Sequence, residues 1–150
     1  MMLRPYTVAD LDEVLDVWHR ASLIAHPFLS EEFLDAERRQ ISDQWLPVAE
    51  TTVCDSGGRV VGFVSLVGNE VGGLFVDPDR QGQGIGRALM DHACGSRPFL
   101  ELDVLEANHS GRRFYAAYGF VEMGRHADDD SGHPAIRLRI EMRGPCAAGR

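Results

Sequence analysis

A glycine-rich loop gives the clearest chemical signal in this sequence. Its residues are Arg80-Gln81-Gly82-Gln83-Gly84-Ile85-Gly86-Arg87; a strand-like apolar run, Leu74-Phe75-Val76, precedes it and a helical pattern follows. Glycines at alternate positions leave backbone N–H groups unshielded at the start of a helix, where the helix dipole also favours an anion. Arg80 and Arg87 can add contacts to phosphate oxygens. The loop is therefore predicted to hold the phosphate groups of a ligand.

Two common phosphate-binding loops are excluded by their spacing. The dinucleotide motif needs Gly-x-Gly-x-x-Gly, but Arg87 stands where its third glycine belongs. The P-loop needs a lysine, and all 15 of the Lys and Arg residues here are arginine, which also excludes Schiff-base and pyridoxal-phosphate chemistry. A hairpin turn is the remaining simple alternative, although a turn needs only one or two glycines and no flanking arginines.

Two sequence blocks together resemble the GNAT superfamily of N-acyltransferases. The loop segment Gln81-Gly82-Gln83-Gly84-Ile85-Gly86 fits its Gln/Arg-x-x-Gly-x-Gly motif, and the second block is Leu102-Asp103-Val104, Asn108, Phe114-Tyr115 and Gly119-Phe120. The resemblance covers roughly residues 2–142. It implies acetyl-CoA as cosubstrate, no metal, and direct transfer of an acetyl group to a primary amine of a small molecule or peptide. A catalytically silent CoA-binding regulatory module is the alternative.

The resemblance also implies which residues contact the cofactor. In this family the loop N–H groups hold the CoA phosphates, and a backbone N–H of the preceding strand polarises the thioester carbonyl. Asn108 looks like the family residue that contacts the pantetheine or holds the strand end, although an isolated Asn there would be a helix cap. The implied cofactor-binding residues are Leu74, Phe75, Val76, Gln81, Gly82, Gln83, Gly84, Ile85, Gly86, Arg87 and Asn108.

The reaction also needs a proton donor for the departing thiolate and a base for the acceptor ammonium. Tyr115 matches the family tyrosine that faces the CoA sulfur, and Tyr118 is the internal comparison, interpreted as a core tyrosine. Asp103 stands where related ribosomal-protein alanine acetyltransferases carry a catalytic glutamate, and Glu70 is the rival base; each can instead be structural. His26 lies in the segment that forms the acceptor wall in this family, which implies a substrate-side role.

The composition is typical of one soluble domain. The 150 residues are 44% hydrophobic and 25% charged, and no apolar run approaches the ~20 residues that span a bilayer. Neither the three cysteines nor the six histidines have the spacing of a disulfide framework or a metal site. We expect a cytoplasmic protein that binds no membrane, a monomer or homodimer, with an N-acetyltransferase domain at residues 1–143 and a flexible tail at 144–150.

The net charge of −8 is unevenly distributed along the chain. Residues 1–55 carry −7 and residues 56–150 carry −1, so the half with the glycine loop is nearly neutral and rich in arginine. Such a surface does not favour nucleic acid, and we expect none as a partner. The acidic first third favours a positively charged acceptor, unless its carboxylates only form solvated helix faces.

The predicted order of helices and strands indicates the fold that positions these residues. Apolar periodicity predicts a short first strand, two helices, three meandering strands, and then alternating helices and strands. The last two strands are expected at residues 120–123 and 136–142. This is a mixed α/β class and a single-domain, GNAT-like fold: a mostly antiparallel sheet of six to seven strands, helices on both faces, and a splayed central strand pair. Gly72-Gly73 inside a strand predicts a bulge or a close approach of ligand or backbone.

Overall fold

The computed structural model describes residues 1–95 and 97–142, which form seven strands and four α-helices. The strands are β1 Met2–Pro5, β2 Glu50–Ser56, β3 Arg59–Val67, β4 Glu70–Val76, β5 Phe99–Leu105, β6 Val121–Ala127 and β7 Pro134–Glu141. They make one sheet in the order β1-β2-β3-β4-β5-β7-β6, antiparallel except between β4 and β5. The tail predicted for 144–150, with Cys146, lies outside the described residues.

The helices begin and end at residues suited to helix termini. They are α1 Leu11–Ala25, α2 Glu31–Gln40, α3 Ile85–Cys94 and α4 His109–Tyr118, and α2 continues into a π-helical turn at Ile41–Trp45. A capping box between Thr7 and Asp10 precedes α1, and the Ser30 Oγ accepts a hydrogen bond from the Phe33 N–H at 3.1 Å at the start of α2. Gly119, with φ of +124°, ends α4.

The sheet separates two hydrophobic clusters. Neighbouring residues of a strand point to opposite faces, so Val53 and Phe63 pack with α1 and α2, whereas Cys54 and Val64 pack with α3 and α4. All four of these side chains are buried. Helices therefore cover both faces, as the sequence predicts.

The sheet opens at its centre, between β4 and β5. These two strands pair at one position, Glu70 with Glu101, after which β5 continues beside β7. On the other side of β4, pairing with β3 shifts from Leu66–Val71 to Ser65–Gly73, which leaves Gly72 as the extra residue of a bulge. The predicted mixed, mostly antiparallel sheet with a splayed central pair is confirmed. We call the opening beyond Glu70 the β4–β5 gap.

Candidate active site

The glycine loop after β4 has the backbone of an open anion-binding turn. Gly82 and Gly84 have φ of +82° and +83°, a left-handed conformation that disfavours other residues. Gly84 is the N-cap of α3, and no side chain of the described residues caps this terminus. A Cβ at Gly82 or Gly84 would meet no atom within 4 Å, so the space in front of the loop is open. The first-turn N–H groups of α3 are thus available to an anion.

Gly86 has a different role from the two preceding glycines. A Cβ at this position would lie 3.4 Å from the Phe114 ring, which shows how closely α3 and α4 approach here. Arg87 places its guanidinium 5.4 Å from the centroid of the Tyr118 ring on α4. Arg80, at the other end of the loop, lies 3.4 Å from the Ser56 Oγ. The loop is thereby joined to α4 on one side and to β2 on the other.

The β4 segment that precedes the loop forms one wall of the gap. Leu74 and Val76 pack against the hydrophobic cluster on the α3 and α4 face of the sheet. Phe75 lies on the other face, where its ring centroid is 5.5 Å from that of Phe63. A Cβ at Gly73 would lie 2.8 Å from the Phe75 ring, so a side chain there would force this ring to shift. The Gln81 Nε2 donates to the Val76 carbonyl at 3.4 Å. Because β5 has diverged, the β4 backbone faces open space that a linear ligand can follow.

The residues predicted on α4 have distinct environments. Asn108 is the N-cap of this helix, and its Oδ1 accepts from the Gly111 N–H at 3.0 Å. A Cβ at Gly111 would lie 2.6 Å from the Asn108 Nδ2, which explains the glycine. The structure thus gives Asn108 a capping role, and its contact with pantetheine stays a prediction.

Tyr115 is in an apolar environment that suits a proton donor. Its ring meets those of Phe114 and Phe120 edge-on, with centroids 5.4 and 5.5 Å away. Burial raises the pKa of Tyr115 to about 12, so its hydroxyl stays protonated at neutral pH. Tyr118 differs, because its hydroxyl donates to the Asp91 carboxylate at 2.5 Å. Burial, followed by that bond, raises the pKa of Tyr118 as well.

A cleft of about 630 Å³ lies on the α1 and α2 side of the sheet and reaches the β4–β5 gap at Gly72 and Gly73. Aromatic side chains form much of its wall: Trp18, Phe33, Trp45, Phe63 and Phe75. Its ionised lining is acidic, and the carboxylates are Glu37, Glu70, Asp103, Asp128, Asp129 and Asp130. No arginine of the described residues lines it. We refer to this space as the cleft; its lining suits a ligand with apolar and cationic parts.

His26 lines the cleft where the α1–α2 connection meets the β6–β7 loop. Its ring lies 5.8 Å from that of Phe28, which in turn lies 4.8 Å from that of His133. Burial lowers the pKa of His26, an effect that Asp128 opposes. Two segments far apart in sequence thus close one end of the cleft.

Both sequence-predicted bases lie at the cleft, and both contact Arg137. The Arg137 guanidinium makes a two-pronged ion pair with the Glu70 carboxylate and lies 3.3 Å from the Asp103 Oδ1. The His126 Nε2 is 3.2 Å from the same Asp103 oxygen. The structure therefore brings Glu70 and Asp103 together on one face of the sheet, next to a cation that sequence reasoning missed.

Glu37 is another site residue that the sequence did not reveal. Of the acids in residues 1–55, it is the one that lines the cleft, and the other described lining carboxylates come from the second part of the chain. Burial, then the charges of Asp130 and Asp128, raise the pKa of Glu37 to about 7. The cleft's acidity thus has a different source from the one expected. The sequence of α2 indicates that Glu37 lies on a solvated helix face. In the structure the β6–β7 loop approaches this face and partly buries Glu37.

Residues 1–95 and 97–142 contain no group of three or more His, Cys, Asp or Glu side chains placed to hold a metal ion. Nor does any helix in that part of the chain have the length and apolarity needed to cross a membrane.

Comparison with known proteins identifies the family. The sequence profile of the Acetyltransferase (GNAT) domain matches residues 47–122, half of the chain. The chain belongs to the GNAT superfamily of N-acetyltransferases. The peptidyl-lysine N-acetyltransferase YjaB of Salmonella typhimurium is 36% identical over 86% of this GNAT chain and 89% of its own length.

Two solved structures have the same fold as this GNAT protein. The solution structure of apo YjaB from Escherichia coli superposes with a TM-score of 0.82 at 32% identity, covering 92% of this chain and 95% of the other. The crystal structure of the PaiA N-acetyltransferase from Thermoplasma acidophilum, in complex with coenzyme A, has a TM-score of 0.74 at 18% identity and covers 94% and 98%. The overall fold is therefore shared even with a protein of much lower sequence identity.

Proposed function

We propose that this GNAT enzyme transfers the acetyl group of acetyl-CoA to a positively charged primary amine, and that the acceptor is a lysine side chain of a protein or peptide. One observation carries the proposal. The acidic, aromatic-walled cleft meets the β4–β5 gap at Gly72 and Gly73, which belong to the strand that leads into the glycine loop.

The cofactor side of the proposal is supported by the loop and the gap. The open N–H groups around Gly84 suit the pyrophosphate, and the unpaired edge of β4 suits the amide-containing pantetheine arm. Backbone N–H groups of residues 74–76 are the proposed donors to the thioester oxygen. The protonated hydroxyl of Tyr115 is the proposed proton source for the leaving thiolate.

The acceptor side is supported by the chemistry of the cleft. A lysine side chain has an apolar stem and a cationic end, which match aromatic walls such as Trp18 and carboxylates such as Glu37. The similar protein YjaB is named a peptidyl-lysine N-acetyltransferase. The amine must lose a proton before it attacks, and Asp103 and Glu70, which line the cleft, are the proposed proton acceptors.

The decisive experiment is acetylation of a lysine peptide, followed by mass spectrometry. The control peptide carries norleucine in place of lysine, and both have acetylated N-termini. The enzyme has no lysine, so every acetyl-lysine formed belongs to the acceptor. We expect acetylation of the lysine peptide alone. Transfer only to neutral or acidic small amines would contradict the acceptor class, and CoA binding without turnover on any amine would indicate the regulatory module instead.

A further inference from the structure

Arg137 connects three strands on the cleft face of the sheet. It lies on β7, and its Nη1 donates to the Glu70 Oε2 on β4 at 2.7 Å, while its Nη2 also contacts the second Glu70 oxygen. The same Nη2 donates to the Glu101 Oε1 on β5 at 2.8 Å. Asp103, also on β5, lies 3.3 Å away. One guanidinium therefore spans β5 to reach β4.

These contacts coincide with the closed end of the β4–β5 gap. Glu70 and Glu101 are the paired residues of β4 and β5, and the Glu101 N–H donates to the Asn69 carbonyl at 2.9 Å at the same point. Beyond it, the described parts of the two strands have no further backbone pairing. The ion pairs of Arg137 thus lie where the two walls of the gap are joined.

Arg137 offsets a concentration of negative charge at this point. Glu70, Glu101 and Asp103 put three carboxylates on adjacent strands, and like charges on neighbouring strands repel one another. Arg137 is 70% buried at the side chain and offers a planar fork to two of them, the geometry in which arginine binds carboxylates best. It lowers the pKa of Glu101, more than any other neighbour does.

We propose that Arg137 is a positioning residue for acetyl transfer: with Glu70 and Glu101 it forms a strand clasp that sets the width of the β4–β5 gap. This rests on the proposed function, in which the gap receives the pantetheine arm. Loss of the clasp lets β4 and β5 separate at their one junction. The thioester is then held less firmly relative to residues 74–76 and Tyr115, and small displacements of this kind are costly to a transfer reaction.

The chain contains a matched control for this residue. Arg139 lies two residues further along β7, on the same face and with similar exposure. It donates to the Glu101 Oε2 at 2.6 Å and lies 3.5 Å from Glu141, but among the described residues it makes no hydrogen bond or ion pair with β4. Arg139 therefore provides the charge and the link to Glu101 without joining the two walls.

The test compares Arg137→Met with Arg139→Met in the full-length protein. CoA affinity is measured by calorimetry without an acceptor, and kcat and KM for acetyl-CoA with one. Amide hydrogen exchange is followed at Glu101, whose N–H bonds across the junction. For Arg137→Met we expect faster exchange, and a loss of about 10-fold or more in kcat/KM for acetyl-CoA, with CoA affinity reduced in parallel. Arg139→Met should stay within about threefold of wild type on each measure.

The outcomes separate the clasp from the proposed function. Equal effects of the two variants on exchange and CoA affinity, at equal loss of thermal stability, would overturn the clasp while leaving the function standing. Failure of the wild type to bind CoA would overturn the function, and the positioning role would fall with it even if exchange at Glu101 changed. Wild-type binding together with a selective loss in Arg137→Met supports both.

Discussion

Arg20 and Asp77 form a two-pronged ion pair that fastens the entrance of the glycine loop to helix α1. The Arg20 Nη1 and Nη2 donate to the two Asp77 oxygens at 2.8 and 2.9 Å, and Asp77 is 4% exposed. The same carboxylate accepts from the Asp79 N–H at 2.9 Å, and the Asp77 N–H donates to the Val61 carbonyl. A helix on the cleft side thus fixes the start of the glycine loop, the proposed cofactor site.

Loss of this pair should weaken acetyl-CoA binding selectively. In Arg20→Met the loop entrance is released from α1, so we expect KM for acetyl-CoA to rise on the order of 10-fold with a smaller change in kcat. Arg4→Met is the matched control, because Arg4 makes similar ion pairs with Asp10 and Asp55 at nearly the same exposure, away from the loop. Equal KM values in the two variants would show that Asp77 acts only on stability.

Acid should destabilise the fold through the same carboxylate. Hydrogen bonds from Arg20 lower the pKa of Asp77 to about 2, below its value in the unfolded chain. The pair therefore stabilises the fold fully above about pH 4, and its contribution of about 2 kcal/mol is lost as pH falls towards 2. Urea unfolding of wild type and Arg20→Met from pH 6 to 2 checks this: the difference between them should shrink with falling pH. A constant difference would contradict it.

The glycine loop gives a prediction that separates strain from function. Gly84→Ala places a side chain at φ of +83°, which costs about 1 kcal/mol of stability and displaces the N–H groups that are proposed to bind the phosphates. Gly57→Ala introduces the same strain in the β2–β3 turn at φ of +63°, where a Cβ also meets nothing within 4 Å. We expect similar melting temperatures but loss of CoA binding, measured by calorimetry, only in Gly84→Ala. Normal CoA affinity in that variant would exclude the loop as the phosphate site.

The proton-donor assignment predicts different effects at two tyrosines of one helix. Tyr115→Phe removes a hydroxyl that burial keeps protonated, so kcat should fall on the order of 10²-fold with CoA affinity unchanged. Tyr118→Phe removes the bond to Asp91, and its effect should be mainly on stability. Steady-state kinetics and calorimetry on both variants decide the point. Similar losses of kcat would remove Tyr115 from its proposed role.

The raised pKa of Glu37 predicts that its contribution to acceptor binding depends on pH. Because the pKa of this carboxyl is raised to about 7, it is largely neutral at pH 6 and ionised at pH 8, while a lysine acceptor stays cationic throughout. Glu37→Gln should therefore raise KM for a lysine peptide several-fold at pH 8 and little at pH 6, with the pH 8 effect reduced by salt. Glu32→Gln, on the same helix but outside the cleft lining, is the control. A ratio of variant to wild-type KM that does not change with pH would contradict the role of Glu37.

The conformation of the glycine loop and its flanking elements could be predicted from sequence because these parts are contiguous. Gly82, Gly84 and Gly86 act through their own backbone or close packing, and the strand before and helix after are read from local periodicity. The Gly72 bulge was indicated in the same way, since glycine within a strand is itself a local signal. The residues that form each of these features are close together both in the sequence and in space, so local patterns are enough to predict them.

The cleft could not be predicted, because it is assembled from distant segments. Glu37 becomes a cleft residue only because the β6–β7 loop approaches α2 in the folded protein. In the sequence, Arg137 is one polar residue of an alternating strand, and its contact with Glu70 arises only in the folded sheet. Strand β6 also extends to Ala127, beyond the predicted end at residue 123. It is an exposed edge strand, so its polar residues show no burial pattern and only pairing with β7 defines it.

The separation of the two hydrophobic clusters has a consequence for how this enzyme can change. Within residues 1–95 and 97–142, the buried cluster beneath α3 and α4 has no residue in common with the one beneath α1 and α2. Mutations that reshape the cleft, the proposed acceptor site, can therefore accumulate in one half without disturbing the packing beneath the glycine loop in the other. Divergence towards new acceptors, in nature or in the laboratory, is open to this chain as long as the ion pairs of Arg20 with Asp77 and of Arg137 with Glu70 and Glu101 are kept.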